Sequence, residues 1–447
     1  MVRRFARSAQ RLAWLDGLRM IAAVMILLYH GQLLFTQSRY SPQPTGLRDN
    51  VQLLLAGTES LATVSDWIQL LGMPALFGFQ FVDVFILLSG FSLTLTTRQR
   101  SFDWLRFWQK RFSRLLWPLA TVALLAYPAL WVVGATGNSS LGHLALLPSG
   151  DLLLPMGNLW WSIPLVLGFT LCFPLLYQLM YRWGGRNLMA MSLMVTLVCR
   201  AAIGLGGQLV VETPLLPVYL LLANLSSFVI GMVVAQSYKH GRGVLFWPQS
   251  KALQVGFGLY TVGFIGQFYT PGWWVGDVVT PLGLTLVCVV LCRWWTSAPW
   301  SRRLALNLGK HSYSFCLLHY FVVERTLGLI VNGDGVRYAI AIPLMILGTL
   351  VLAAITDAVT PFLQRVMARL WQDIDYLLAR KPAVVVPGWV PSVGDTVRYL
   401  DQQWAIQAVE ILLDDGNYYL CKIANQQQTR WVSQEQLQLM APTLVAS

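Results

Sequence analysis

Charge is what this sequence is short of. Only 12% of its 447 residues are Asp, Glu, Lys or Arg, against about 25% in an ordinary soluble domain. Beside a hydrophobic share of 56%, that shortage excludes a soluble globular enzyme and points to repeated membrane crossing. Cysteine is scarce as well. Of six, Cys172, Cys199, Cys288, Cys292 and Cys316 lie in apolar runs, and only Cys288 and Cys292 stand one helical turn apart. Such spacing excludes a disulfide framework or a zinc motif; these read as small packing residues, and no bound metal is expected. Acidic residues number 20 against 32 basic, a net charge of +12. Nucleic acid is not the expected partner, because the basic residues gather in particular loops.

What the chain has is long apolar runs. Ten spans are predicted, at about 12–35, 75–96, 115–134, 159–180, 187–209, 215–236, 252–270, 276–295, 309–331 and 338–361. Lys and Arg between spans fall almost wholly into alternate segments, leaving only Arg39, Arg48 and Arg337 in the other set. Such a bias orients a membrane protein with its basic loops inside. It predicts a multi-pass protein of the cytoplasmic (inner) membrane with both termini cytoplasmic. The basic N-terminus runs directly into a full-length span, so a cleaved signal peptide is not expected. The long outer loops 36–74 and 135–158 carry Asp49, Glu59, Asp66 and Asp151, which read as a solvated face or as acceptor contacts.

The composition changes after the last span. Residues 1–361 form the expected transmembrane domain, and 362–387 read as an amphipathic helix followed by a Pro-rich break. Residues 388–447 read as short strands with an Asp-Gly hairpin turn at 415–416. The predicted fold class is thus an all-α polytopic membrane protein of about ten helices with a small C-terminal all-β, SH3-like barrel. That tail shows no catalytic group and suits a protein partner.

Ionisable residues inside apolar spans are functional candidates, because each costs roughly 2.5–3.5 kcal/mol at the centre of a membrane helix. The first span holds three: Asp16, Arg19 and His30. Arg19 and His30 are eleven residues apart. That spacing brings a helix round to within about 20° and separates the two by about 16 Å of rise. Asp16 is close enough to pair with Arg19. An anion binder at one end of a stripe and an imidazole at the other suggests a substrate that reaches through the membrane. In the second span, Asp83 is a buried carboxylate whose partner stays open among Arg19, His30 and a proton. Ser89-Gly90 suits close helix packing or a hydroxyl contact. Arg111 and Arg114 stand one turn apart before the third span, as a phosphate grip or as positive-inside anchors. His319 lies mid-span with Ser312 on the same face, as a site residue or a packing histidine.

Four of these stretches together resemble the membrane acyltransferase-3 family. They are Leu15-Asp16-Gly17-Leu18-Arg19 with His30, Phe85-x-x-x-Ser89-Gly90-Phe91, Arg111-x-x-Arg114 with Pro118, and Leu308-Gly309-x-x-Ser312-Tyr313 ending at His319. The likeness covers about residues 10–360. It implies transfer of an acyl group, acetyl by preference, from cytoplasmic acyl-CoA to a hydroxyl of an exported glycan or lipid-linked sugar, with no permanently bound cofactor. Arg111, Arg114 and Arg19 would hold the donor phosphates, with the pantetheine arm passing Ser89-Gly90. His30 would act as base or as acyl carrier, with Asp83 or Asp16 nearby. Trp161, Ser162, Ser312, Tyr313 and His319 would support the acceptor side. The chain departs from the family where Val166 stands in place of a frequent Glu after Trp161-Ser162, and in Ile86, Cys316 and the β-rich tail. Two other classes fit the residues: a proton-coupled transporter of an anion or glycan, although the halves show no repeat, and a non-catalytic subunit recruiting a synthase.

Overall fold

The computed structural model describes residues 12–37, 40–56, 63–97, 103–132, 162–206, 216–379, 391–400, 402–414, 416–425, 428–433 and 437–439. Trp161, the basic N-terminus, the loop 135–158 and the Pro-rich break lie outside these residues. The chain divides into two compact units, Met1–Ala358 and Val359–Ser447.

The first unit is helical. Its elements are α1 (Ala13–Phe35), α2 (Leu47–Leu55), α3 (Val64–Gly72), a 3-10 stretch Met73–Gln80, α4 (Phe81–Thr96), α5 (Trp104–Val132), α6 (Ser162–Trp183), α7 (Gly185–Gly206), α8 (Leu216–Ala223), α9 (Leu225–Lys239), α10 (Gln249–Gly266), α11 (Thr270–Trp295), α12 (Pro299–Gly309) and α13 (Ser312–Thr326). The last helix, α14, runs over Gly335–Ala379 and continues into the second unit.

Helix α1 sits at the centre. It contains no proline, and Asp16 in its first turn favours the N-terminal end of the helix dipole. Two apolar clusters meet on it. Met20, Ala23 and Leu27 pack with Phe315, Leu318 and Tyr338, while Trp14, Leu18 and Ala22 pack with Val84, Leu88, Phe91 and Val289. Small residues set the closest approaches. A Cβ on Gly90 would stand 2.1 Å from the Phe228 carbonyl oxygen, and one on Gly231 would stand 2.0 Å from that of Leu87. The pair α4–α9 is therefore backbone-on-backbone, as glycine permits in membrane helices. Gly309 at the end of α12 abuts the Asp16 backbone of α1 in the same way.

The outside of the bundle is apolar. On α14, Ile340, Leu344, Leu347, Val351 and Ile355 are exposed, at the spacing of one helix face. Seven helical stretches among the described residues are long and apolar enough to cross a bilayer: Ala13–Phe35, Val64–Thr96, Ile163–Trp183, Gly185–Leu205, Val278–Trp295, Ser312–Val331 and Gly335–Leu370. The chain is a multi-pass membrane protein. Seven is fewer than the ten expected. The predicted span 215–236 is not one helix, because it breaks at Asn224 into α8 and α9. The freed backbone is satisfied from α7. Arg200 Nε donates to the Ala223 carbonyl at 2.9 Å and Nη2 to Asn224 Oδ1 at 3.2 Å. Thr196 Oγ1 donates to the Leu222 carbonyl at 3.0 Å and accepts from the Ser226 N–H at 3.0 Å. Hydrocarbon supplies no such partners, so a break at membrane depth needs them from protein. The predicted spans 115–134 and 252–270 fall on α5, which begins in the basic stretch, and on α10, which carries Lys251 and Gln254.

The second unit ends in an antiparallel sheet of β1 (Thr396–Tyr399), β2 (Gln402–Asp414), β3 (Gly416–Ala424), β4 (Thr429–Ser433) and the two-residue β5 (Gln438–Leu439), in the order β4-β3-β2-β1-β5. Val397, Trp404, Ile406, Cys421, Ile423 and Val432 form its core. Burial first, then the Asp395 charge, pushes the Cys421 thiol up to about 12.

Two tests follow from this packing. Cys421 should resist maleimide at pH 8 in the folded protein and label after denaturation, because the thiolate is the reacting form; native labelling as fast as a free thiol would place it outside the core. Gly90→Ala should cost about 1–3 kcal/mol by overpacking. Gly348→Ala, where nothing among the described residues lies within 4 Å, should be neutral or gain up to about 1 kcal/mol from helix propensity. Thermal unfolding in detergent reads the contrast, and equal midpoints would refute the close contact.

Candidate functional site

The candidate residues gather at the two ends of α1. At the Asp16 end, Asp16 is buried and its Oδ1 lies 3.3 Å from Arg19 Nη1. Arg19 Nη2 donates to Ser92 Oγ on α4, and Ser92 Oγ donates in turn to the Leu88 carbonyl at 2.5 Å. The expected Asp16–Arg19 pairing is thus present, with a hydroxyl added from the second helix. Arg111 is half-buried and Arg114 is exposed on α5. Arg111 precedes the apolar part of that helix. Its guanidinium is pushed down to about 10 by burial first, then by the positive charges of Arg114 and Arg19. The charges of Arg19 on α1 and Arg114 on α5 thus both bear on Arg111. Like charges brought together this way favour an anion between them.

At the other end, the His30 ring meets three aromatic rings. Its centroid lies 5.0 Å from Tyr29, 5.2 Å from His319 and 5.1 Å from Tyr320. His319 is buried, and its Nδ1 lies 2.6 Å from the Cys316 carbonyl oxygen. His30 Nδ1 and His319 Nε2 are both buried without a hydrogen-bond partner among the described residues. Tyr29 continues the aromatic wall against Phe79 at 5.7 Å.

A family model described as an acyltransferase domain matches residues 12–358. The chain belongs to the acyltransferase-3 family. No curated protein and no solved structure matches it. Every residue named at the two ends of α1 falls inside the matched stretch, and the protein is a membrane acyltransferase.

The remaining expected residues of this acyltransferase are placed as follows. Asp83 is in the first turn of α4, half-buried. Ser89 is half-buried, and Gly90 is taken up by the contact with Phe228. Ser312 Oγ donates to the Gly309 carbonyl at 2.9 Å, and Tyr313 OH donates to the Leu115 carbonyl at 3.0 Å, tying α13 to α5. Trp161 lies outside the described residues, and Ser162 opens α6.

Three contributors escaped the sequence reading. Ser92 stands one turn beyond Ser89 and was hidden by the better-known dipeptide. Tyr320 follows His319 directly. Asp357 accepts from His311 Nδ1 at 2.5 Å and, through its other oxygen, from Ser314 Oγ. A lone carboxylate in the otherwise apolar stretch 338–361 was the signal for Asp357. Asp357→Leu should cost about 1–3 kcal/mol by stranding two donors. Asp357→Asn, which still accepts from Ser314, should cost less. Unfolding midpoints in detergent check the order, and a Leu variant as stable as wild type would show that the two bonds carry nothing.

Proposed function

We propose that this acyltransferase moves an acyl group from cytoplasmic acyl-CoA to a hydroxyl presented on the outer side of the inner membrane. The observation that supports it is the two-ended site on α1. Arg111, under the charges of Arg114 and Arg19, lies at one end, and an imidazole whose Nδ1 has no partner among the described residues lies at the other. Eleven residues of helix separate them by about 16 Å. Arg111 and Arg114, with Arg19 behind them, hold the donor phosphates. Guanidinium forks grip phosphate oxygens bidentately. The loop bias in Lys and Arg puts this end, and both termini, in the cytoplasm. The pantetheine arm lies along α1 and carries the thioester toward His30.

His30 takes the proton of the acceptor hydroxyl as its oxygen attacks the thioester carbonyl. The carbon–oxygen bond forms, the carbon–sulfur bond breaks, and the leaving thiolate takes the proton from the imidazolium to give free CoA. A covalent acyl-imidazole on His30 is the two-step variant. Asp83 lies in the helix that borders α1 and supports the polar path. Ser89, Ser162, Ser312, Tyr313 and Trp161 belong to the surrounding frame. The acyl group is acetyl and the acceptor an exported polysaccharide or lipid-linked sugar, on the family resemblance. The C-terminal sheet, as an SH3-like module, recruits a protein partner.

Purified protein in detergent tests the assignment through acyl-CoA hydrolysis or exchange. His30→Ala should lower turnover by about 10²–10⁴-fold while CoA still raises the unfolding temperature. Arg111→Ala should weaken CoA binding by about tenfold, the equivalent of about 1.4 kcal/mol. The CoA-induced shift should also shrink with added salt. A wild-type protein that binds no acyl-CoA would overturn the donor site.

A further inference from the structure

The two imidazoles at the far end of α1 differ in what their nitrogens can do. His319 Nδ1 faces the Cys316 carbonyl oxygen at 2.6 Å. A carbonyl oxygen only accepts, so Nδ1 carries the hydrogen. In a neutral ring that leaves His319 Nε2 with a lone pair and no hydrogen. This atom is buried and has no partner among the described residues. His30 Nδ1 is buried and has no partner either. The ring centroids stand 5.2 Å apart with the planes tilted by 40°. A nitrogen that can only accept thus sits beside one that has nothing to bond. Orphaned buried polar atoms are rare in folded proteins, and each needs an explanation. Two of them on neighbouring rings explain each other.

We propose that His319 is the positioning residue for His30: the Nδ1–H of His30 donates to His319 Nε2, through a small ring rotation or one water, and fixes the tautomer that leaves His30 Nε2 free as the base. The inference rests on the role of His30 proposed above. It assigns to a neutral imidazole the task that a third group performs wherever a catalytic base is oriented by a hydrogen bond. Catalytic hydrogen bonds are often long before substrate is bound, which suits the gap between the rings. The proton balance is closed. His30 Nε2 takes the hydroxyl proton, the imidazolium keeps its Nδ1–H on His319, and Nε2 returns the proton to the departing thiolate. His319 stays neutral throughout, held by Cys316. Its helix is fixed at its start by the Tyr313 bond to Leu115 and the Ser314 bond to Asp357. Tyr320, 5.1 Å from His30 and nearly perpendicular to it, limits how far that ring can turn.

The full-length protein with ring-15N histidine, in detergent, tests this directly. The His30 resonances are assigned by their loss in His30→Ala. Wild type, His319→Ala and His319→Gln are then compared for the His30 tautomer, kcat and acyl-CoA KM. The expected wild-type state is Nδ1–H. His319→Ala should release it to a mixture and lower kcat at least tenfold with KM unchanged. His319→Gln, whose side-chain carbonyl accepts a hydrogen bond, should restore most of both. His319→Leu takes the place of Ala if the smaller side chain unfolds the protein. A His30 tautomer indifferent to residue 319, or a Gln variant no better than Ala, overturns the pairing. A tautomer that depends on His319 in a protein that transfers no acyl group upholds the pairing and removes the reaction instead.

Discussion

A guanidinium inside an apolar bundle must be satisfied by its neighbours, and Arg19 is the group on which this bundle closes. Asp16 pairs with it from the same helix and Ser92 reaches it from α4. Asp16 is the buried member of the pair, so losing Arg19 would take that counter-charge from a buried carboxylate. The neighbouring helices are fitted around that constraint. Gly309 lets α12 lie directly on the Asp16 backbone, and Gly90 and Gly231 let α4 and α9 close to backbone contact. The pair at the foot of α1 and the glycines beside it are therefore one arrangement. Their joint effect is to hold Arg19 where its charge bears on Arg111.

Helix α13 plays the corresponding part at the other end. Its first turns are tied down three times, by Ser312 to Gly309, by Tyr313 to Leu115 and by Ser314 to Asp357. Only after those anchors does it deliver His319 and Tyr320 against His30. A site built on helices with such supports holds its geometry better than one built on loops. In this bundle the polar bonds fix the helices that bring the two imidazoles together.

The membrane explains a second set of polar contacts. The break at Asn224 leaves carbonyls that lipid cannot serve, and Arg200 and Thr196 serve them from α7. An arginine in a span would ordinarily count as a functional candidate. Here two of its bonds go to the ends of a broken helix, and that much of its work is structural.

The sequence by itself determined the membrane class, and it suggested a boundary after residue 361 and candidates on α1, because each is carried by composition or by spacing within one helix. Low charge and long apolar runs decide the first, the change after residue 361 marks the second, and the interval from Arg19 to His30 is helix geometry alone. The strand pattern of the tail was legible for the same reason, since alternation is local. What only the tertiary structure decided are the relations between helices. The span at 215–236 reads as continuous, since the side chains that satisfy its break come from another helix. Ser92 and Tyr320 carry no distinguishing local pattern, and the lone carboxylate Asp357 does not by itself say what it meets; they matter because folding sets them beside Arg19, His30, His311 and Ser314. Gly90 looks equally suited to a ligand or to a neighbour until Phe228 is seen against it. Spacing can tell which residues share a face, but which face meets which is settled by packing across the bundle.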